Sequence, residues 1–106
     1  MMLPKAIRVL VARDAVDFRK SYDGLCGVCR NELSEDPQSA TLFVFRNKRG
    51  DQVRLLWWDR NGFAIWMKRL ESGTFLFPRT PEKSRVITAT ELAVLLEGAV
   101  RVRCVA

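Results

Sequence analysis

The sequence predicts an α+β fold: one small domain over residues 1–106, with a three-stranded antiparallel meander packed against an N-terminal amphipathic helix and a short C-terminal helix. Three observations predict it. Residues 41–70 read as three runs of aromatic and branched residues divided by two turn-forming segments. Apolar residues between Phe18 and Leu33 recur at helical spacing. Thr88-Ala89-Thr90-Glu91 has the pattern of a capping box, which opens a second helix. A chain of 106 residues buries one modest core. Large catalytic folds are excluded, since a (β/α)₈ barrel needs roughly 250 residues.

The first element is a strand at residues 7–12, aliphatic and β-branched. Asp14 or Asp17 then offers a carboxylate to the orphan N–H groups of a helix start. Phe18, Tyr22, Leu25, Cys29 and Leu33 share one face of that helix. Gly24 and Gly27 weaken it by up to about 1 kcal/mol each relative to Ala, or else admit a close approach of the sheet. Pro37 cannot continue the helix, and Ser34-Glu35-Asp36-Pro37 ends it.

The meander strands are predicted at residues 41–46, 52–58 and 63–70. Asn61-Gly62 reads as a two-residue hairpin turn, which sets Trp57 opposite Trp66 and Trp58 opposite Ile65. One face then carries Leu42, Val44, Val53, Leu55, Trp57, Trp66 and Leu70. The other carries Phe43, Phe45, Leu56, Trp58, Ile65 and Met67, rimmed by Arg54, Arg60 and Arg69. Both faces are apolar, so helices cover one and the other meets more chain or a partner. Residues 71–73 and 78–84 read as loops. Leu92, Leu95 and Leu96 form the apolar face of the second helix, and Gly98 stands at its C-cap. Residues 100–105 alternate in a way that fits a last edge strand or a tail.

The net charge of +6 is local. Residues 1–45 are balanced, with six basic and six acidic side chains. Residues 46–70 hold Arg46, Lys48, Arg49, Arg54, Arg60, Lys68 and Arg69 against Asp51 and Asp59, a net of +5. Basic groups interleaved with aromatic rings on a sheet are what nucleic-acid binding uses: guanidinium and ammonium groups neutralise phosphates, and rings stack on bases. Those seven cations are the candidate nucleic-acid contacts. Trp58 and Phe63 are the candidate contacts for a protein partner, because large aromatic residues anchor interfaces.

No catalytic constellation emerges. The chain has no histidine, the commonest general base and metal ligand. Cys26-Gly27-Val28-Cys29 is a C-x-x-C inside an amphipathic helix rather than at a strand-to-helix turn, and nothing completes a zinc site. Arg49-Gly50-Asp51 is turn chemistry. Asp14, Asp17 and Asp23 could share one side of a turn as metal ligands, but 106 residues are too few for a nuclease fold plus its supports, and helix capping explains Asp14 or Asp17 better. The sequence therefore implies a non-enzyme without cofactor or metal. Three cysteines leave an odd thiol, apolar runs reach only about four or five residues against the 20 of a membrane helix, and no signal peptide opens the chain. It reads as a cytoplasmic protein with no membrane partner.

Asp17-Phe18-Arg19-Lys20-Ser21-Tyr22-Asp23-Gly24-Leu25 resembles the D-M-R-K-G-F-D-G-L segment of a bacterial mobile-element family. The resemblance continues, in order, through Leu42-Phe43-Val44-Phe45-Arg46, Arg49-Gly50-Asp51, Leu55-Leu56-Trp57-Trp58-Asp59, Gly62, Lys68-Arg69-Leu70-Glu71-Ser72-Gly73 and the Leu92-to-Gly98 ending. The family is the small accessory protein, TnpB or Orf2-like, of insertion sequence family sixty-six. Phe18 stands where Met is usual and Ser21 where Gly is usual, and the Cys26/Cys29 pair departs from the pattern. The resemblance implies a role in transposition beside a separate, larger transposase that carries the cutting chemistry. The expected partners are DNA and that element-encoded transposase, with a homo-oligomer compatible with both. The alternative to nucleic-acid binding is a protein–protein adaptor for the transposase.

Overall fold

The computed structural model describes residues 8–99. Their order is β1 (Arg8–Ala12), α1 (Tyr22–Asn31), β2 (Thr41–Arg46), β3 (Gln52–Asp59), β4 (Gly62–Arg69), β5 (Ser84–Ile87) and α2 (Ala89–Glu97). The strands form one mixed sheet in the order β4-β3-β2-β1-β5. The α+β class holds, and the meander β2-β3-β4 is present, but it is part of a larger sheet. β1 joins β2 in parallel, with Val9 beside Leu42 and Val11 beside Val44, and α1 makes the crossover between them. β5 runs antiparallel to β1 on its other side, a strand the loop-like sequence around Pro81 conceals.

Both faces of the sheet are covered. α1 lays Leu25, Cys26, Val28 and Cys29 on Leu10, Ala12, Phe43, Phe45 and Leu56. On the opposite face Leu92 and Leu95 of α2, together with Phe75, bury Val9, Val11, Leu42, Val44, Val53, Leu55 and Trp57. The alternation forecast for the meander is therefore correct in every buried position, and the second face meets more of the same chain. β1 and β2 are apolar on both sides because each lies between two neighbours and two layers.

The hairpin turn is one residue earlier than expected. Asp59 pairs with Gly62, so Trp57 faces Ala64 and Trp58 faces Phe63. The turn is Arg60-Asn61: Arg60 takes the left-handed φ of 57° and the Asn61 N–H donates to the Asp59 carbonyl at 2.6 Å. The partner of each residue thus moves by two positions, which keeps every side chain on its face.

The first helix starts later than its sequence forecast. Neither Asp14 nor Asp17 caps it; Ser21 is the N-cap residue, without a side-chain hydrogen bond. Asp17 instead accepts the Arg19 backbone N–H at 2.9 Å and makes its own short turn ahead of the helix. Tyr22 is exposed rather than buried, because a start at Tyr22 rotates Leu25, Cys26, Val28 and Cys29 onto the sheet. Gly24 and Gly27 do not admit the sheet: a Cβ at Gly24 would meet Lys20, and at Gly27 only Asn31 at 4.0 Å. The second helix begins as expected, with both halves of the Thr88/Glu91 capping box formed. Gly98 ends it with φ 74°, and a Cβ there would lie 2.7 Å from Leu70 Cδ1. The alternating segment 100–105 lies outside the described residues.

Candidate nucleic-acid interface

The basic groups gather around the turn between β2 and β3. Asn47 shapes that turn. Its side-chain oxygen accepts the Gln52 N–H at 3.0 Å while its amide donates to Asp51 Oδ1 at 2.7 Å. Gly50 supplies the left-handed φ of 77° that the turn requires. The next layer of chain braces it from outside, as the Gly50 carbonyl accepts from Phe75 N–H at 2.8 Å and the Asp51 carbonyl from Leu70 N–H at 2.9 Å. Arg49-Gly50-Asp51 is thus turn chemistry, with Asp51 engaged. Lys48 and Arg49 project exposed from this fixed turn, and among the described residues neither has an ion-pair partner.

Two grooves flank the turn, and Lys48 and Arg49 border both. The first, about 620 Å³, is lined by Arg13, Arg46, Lys48, Arg49 and Arg79, with Phe75, Leu76 and Phe77 between them and no acidic side chain in its lining. Arg46 is held in place by a 3.0 Å bond to the Arg13 carbonyl, with its guanidinium carbon 5.8 Å from the Phe77 ring centre. Arg13 bonds the Pro81 carbonyl at 2.8 Å and pairs with Asp14 at 3.0 Å, which holds the Asp14 carboxyl below its ordinary range. The second groove, about 820 Å³, is lined on its far side by Asp17, Phe18, Arg19, Gln52 and Arg54. There Arg19 donates to Asp17 at 2.8 Å, and these side-chain hydrogen bonds push the Asp17 carboxyl down to about 2.

The seven sequence-forecast cations divide into three groups. Arg46, Lys48, Arg49, Arg54, Lys68 and Arg69 share one end of the sheet, since Arg69 pairs with Gln52, Lys68 with Val53 and Arg54 with Met67. Within that end Arg54 is structural: it stacks on Phe18 at 4.6 Å and donates to the Lys20 carbonyl at 3.1 Å. Lys68 is also committed, because its Nζ donates to the Leu96 carbonyl at 2.8 Å, where a cation suits the C-terminal end of α2. Arg60 stands apart at the far hairpin turn, roughly 24 Å along β3 at about 3.4 Å per residue. Trp58 and Phe63 lie at that same far end, cross-strand partners in an edge-to-face pair 5.0 Å apart and both half-buried.

Sequence reasoning missed Arg13 and Arg79. Arg13 follows β1 directly, and the parallel pairing of β1 with β2 brings it beside Arg46. Arg79 arrives on the segment between Phe75 and β5, whose course depends on β5 pairing with β1. Neither neighbourhood has a local signal in the sequence. Cys26 and Cys29 are buried free thiols, and that burial pushes the Cys29 thiol up to about 12 and raises that of Cys26. Among the described residues no helix is long and apolar enough to cross a membrane.

Fold and site together define a small α+β protein in which, among the described residues, Arg13, Arg46, Lys48, Arg49 and Arg79 gather at one end of a sheet covered on both faces. The chain belongs to the IS66 Orf2 like family, whose model matches residues 7–104. Two proteins of Sinorhizobium fredii are similar to it. Uncharacterized protein y4jC is 36% identical over 94 residues, covering 89% of this chain and 80% of its own length. Uncharacterized protein y4hO is 31% identical over 99 residues, covering 92% of this chain and 86% of its own. No solved structure matches the chain. Family membership points to an accessory role in insertion-sequence transposition, as the sequence motifs imply.

Proposed function

We propose that this protein is a non-catalytic accessory factor of transposition that binds nucleic acid at the basic end of its sheet. One observation carries the reading: the groove of about 620 Å³ has five basic side chains and no acidic one in its lining. Lys48, Arg49 and Arg79 are the phosphate contacts; Arg46 and Arg13 are held by backbone carbonyls and shape the groove. Phe77, beneath Arg46, and exposed Leu76 give the floor an apolar surface for sugar or base. Rigid backbone around exposed cations favours binding, because the turn loses little freedom when it meets a phosphate chain.

The test is fluorescence anisotropy with element-end and random DNA across a salt series. Binding should weaken with salt, and Lys48→Gln, Arg49→Gln and Arg79→Gln should each lower the salt slope by about one. Binding that is absent, or indifferent to these changes, refutes the reading. The half-buried Trp58–Phe63 pair favours a second reading, an adaptor for the element's transposase. Co-purification with the transposase that is lost in Trp58→Ala, and kept in the three glutamine variants, would select it.

A further inference from the structure

β4 is the outer strand of the sheet, and the bonds on its inner side reveal what its outer side offers. The Leu70 N–H donates to the Asp51 carbonyl, and the Asn47 N–H donates to the Gln52 carbonyl. Gln52 therefore directs its backbone toward β2, and Val53, paired with Lys68, directs its backbone toward β4. Backbone direction alternates along an antiparallel strand. Ala64, Trp66 and Lys68 accordingly bond β3, while Phe63, Ile65, Met67 and Arg69 present their N–H and C=O groups outward. Among the described residues nothing pairs with that outer row.

This edge has few of the usual defences: its only charges, Lys68 and Arg69, stand at one end, and Lys68 is drawn to the Leu96 carbonyl. β4 is eight residues long, has no proline, and keeps continuous one-to-one pairing with β3 without a bulge. Three of its four outward residues are apolar, and Met67 is 64% exposed. We propose that β4 pairs antiparallel with β4 of a second copy of this chain, giving a two-fold dimer with one continuous ten-stranded sheet.

The occupant follows from the strand's complementarity to itself. With the two-fold axis at Trp66, Phe63 lies opposite Arg69 and Ile65 opposite Met67, so all four outward residues find hydrogen-bonding partners. A ring then meets a guanidinium and an aliphatic chain meets a thioether on the same face. An axis at Ile65 sets Arg69 against Asn61, in the turn and outside the strand. An axis at Ala64 sets Arg60 against Lys68, which like charge disfavours. Because the strands run antiparallel, the two basic ends lie at opposite ends of the joint sheet. Dimerisation is thus independent of the nucleic-acid reading.

Sedimentation equilibrium of the full chain over a range of concentrations tests this. The wild-type protein should sediment as a dimer. Ile65→Pro should be monomeric with an unchanged far-ultraviolet circular dichroism spectrum, because the lost N–H points away from β3. Met67→Lys should also be monomeric, and it decides the matter if the proline variant does not fold. A wild-type monomer at every concentration overturns the proposal, including one whose edge is taken by the chain's own residues 100–106. A dimer that persists in folded variants overturns it as well.

Discussion

The two ends of β3 sit on the same strand yet are built in opposite ways. At Gln52 the strand leaves a turn that is fixed on both sides, by the Asn47 side chain within and by Phe75 and Leu70 from outside, and its exposed groups are cations. At Asp59 the strand enters a two-residue turn with Arg60 in a left-handed conformation, and its partly exposed groups are the rings of Trp58 and Phe63. Hydrogen-bond bracing and charge coincide at the first end and aromatic surface marks the second, while the open edge of β4 runs the length of both. A basic composition alone would have spread binding over the whole meander. The geometry instead gathers Arg13, Arg46, Lys48, Arg49 and Arg79 around one groove at one end, which is where the proposed binding falls.

Leu55 joins the two ends, and its removal should have the largest effect. It is fully buried beneath α2, so Leu55→Ala should cost about 2–5 kcal/mol and lower both ends together in a denaturant titration. Loss at one end only would show that they unfold separately. The sharpest contrast comes next. Lys48→Gln with Arg49→Gln should reduce the salt slope of DNA binding by about two, while Arg60→Gln leaves it unchanged. Stability should stay within about 0.5 kcal/mol in both, as for other surface changes. An Arg60 effect equal to that of Arg49 would erase the distinction between the ends.

Smaller effects follow. Thr88→Ala removes one half of the capping box and should cost about 1 kcal/mol of stability without changing DNA affinity. The smallest is confined to acid. The Asp17 carboxyl lies at about 2, against an ordinary 3.8, because Arg19 hydrogen-bonds its charged form. A depressed value means that the contact stabilises the fold fully above pH 3.8 and is lost as pH falls toward 2. In Asp17→Asn, that part of the acid loss should disappear from a pH titration of unfolding, with neutral-pH binding kept.

The legible and illegible parts of the molecule divide by range. Thr88 and Glu91 announce their helix because a capping box is complete within four consecutive residues. The face of each meander residue was legible despite a turn misplaced by one, since alternation has period two and the pairing moved by two. The start of α1 was not legible: two aspartates look like caps, and only the loop geometry shows Asp17 bonding Arg19 instead. β5 was hidden because Ser84–Ile87 is short and polar at its start, and it becomes a strand only by pairing with β1. For the site, the sequence located the charge but not its grouping. It could not separate Lys48 and Arg49 from Lys68, which the fold spends on the end of α2.

By itself, then, the sequence determined the class, the meander, the apolar parity of its strands, the second helix and the family. These rest on periodicity and on motifs read between near neighbours. Only the tertiary structure decided that β1 lies parallel to β2, that β5 closes the other edge, and that Arg13 and Arg79 stand beside Lys48 and Arg49. Those groups are about 30 or more positions apart in the chain, and their proximity is set by which strand pairs with which. That choice depends on burying both apolar faces at once, a non-local condition that no short window of sequence contains.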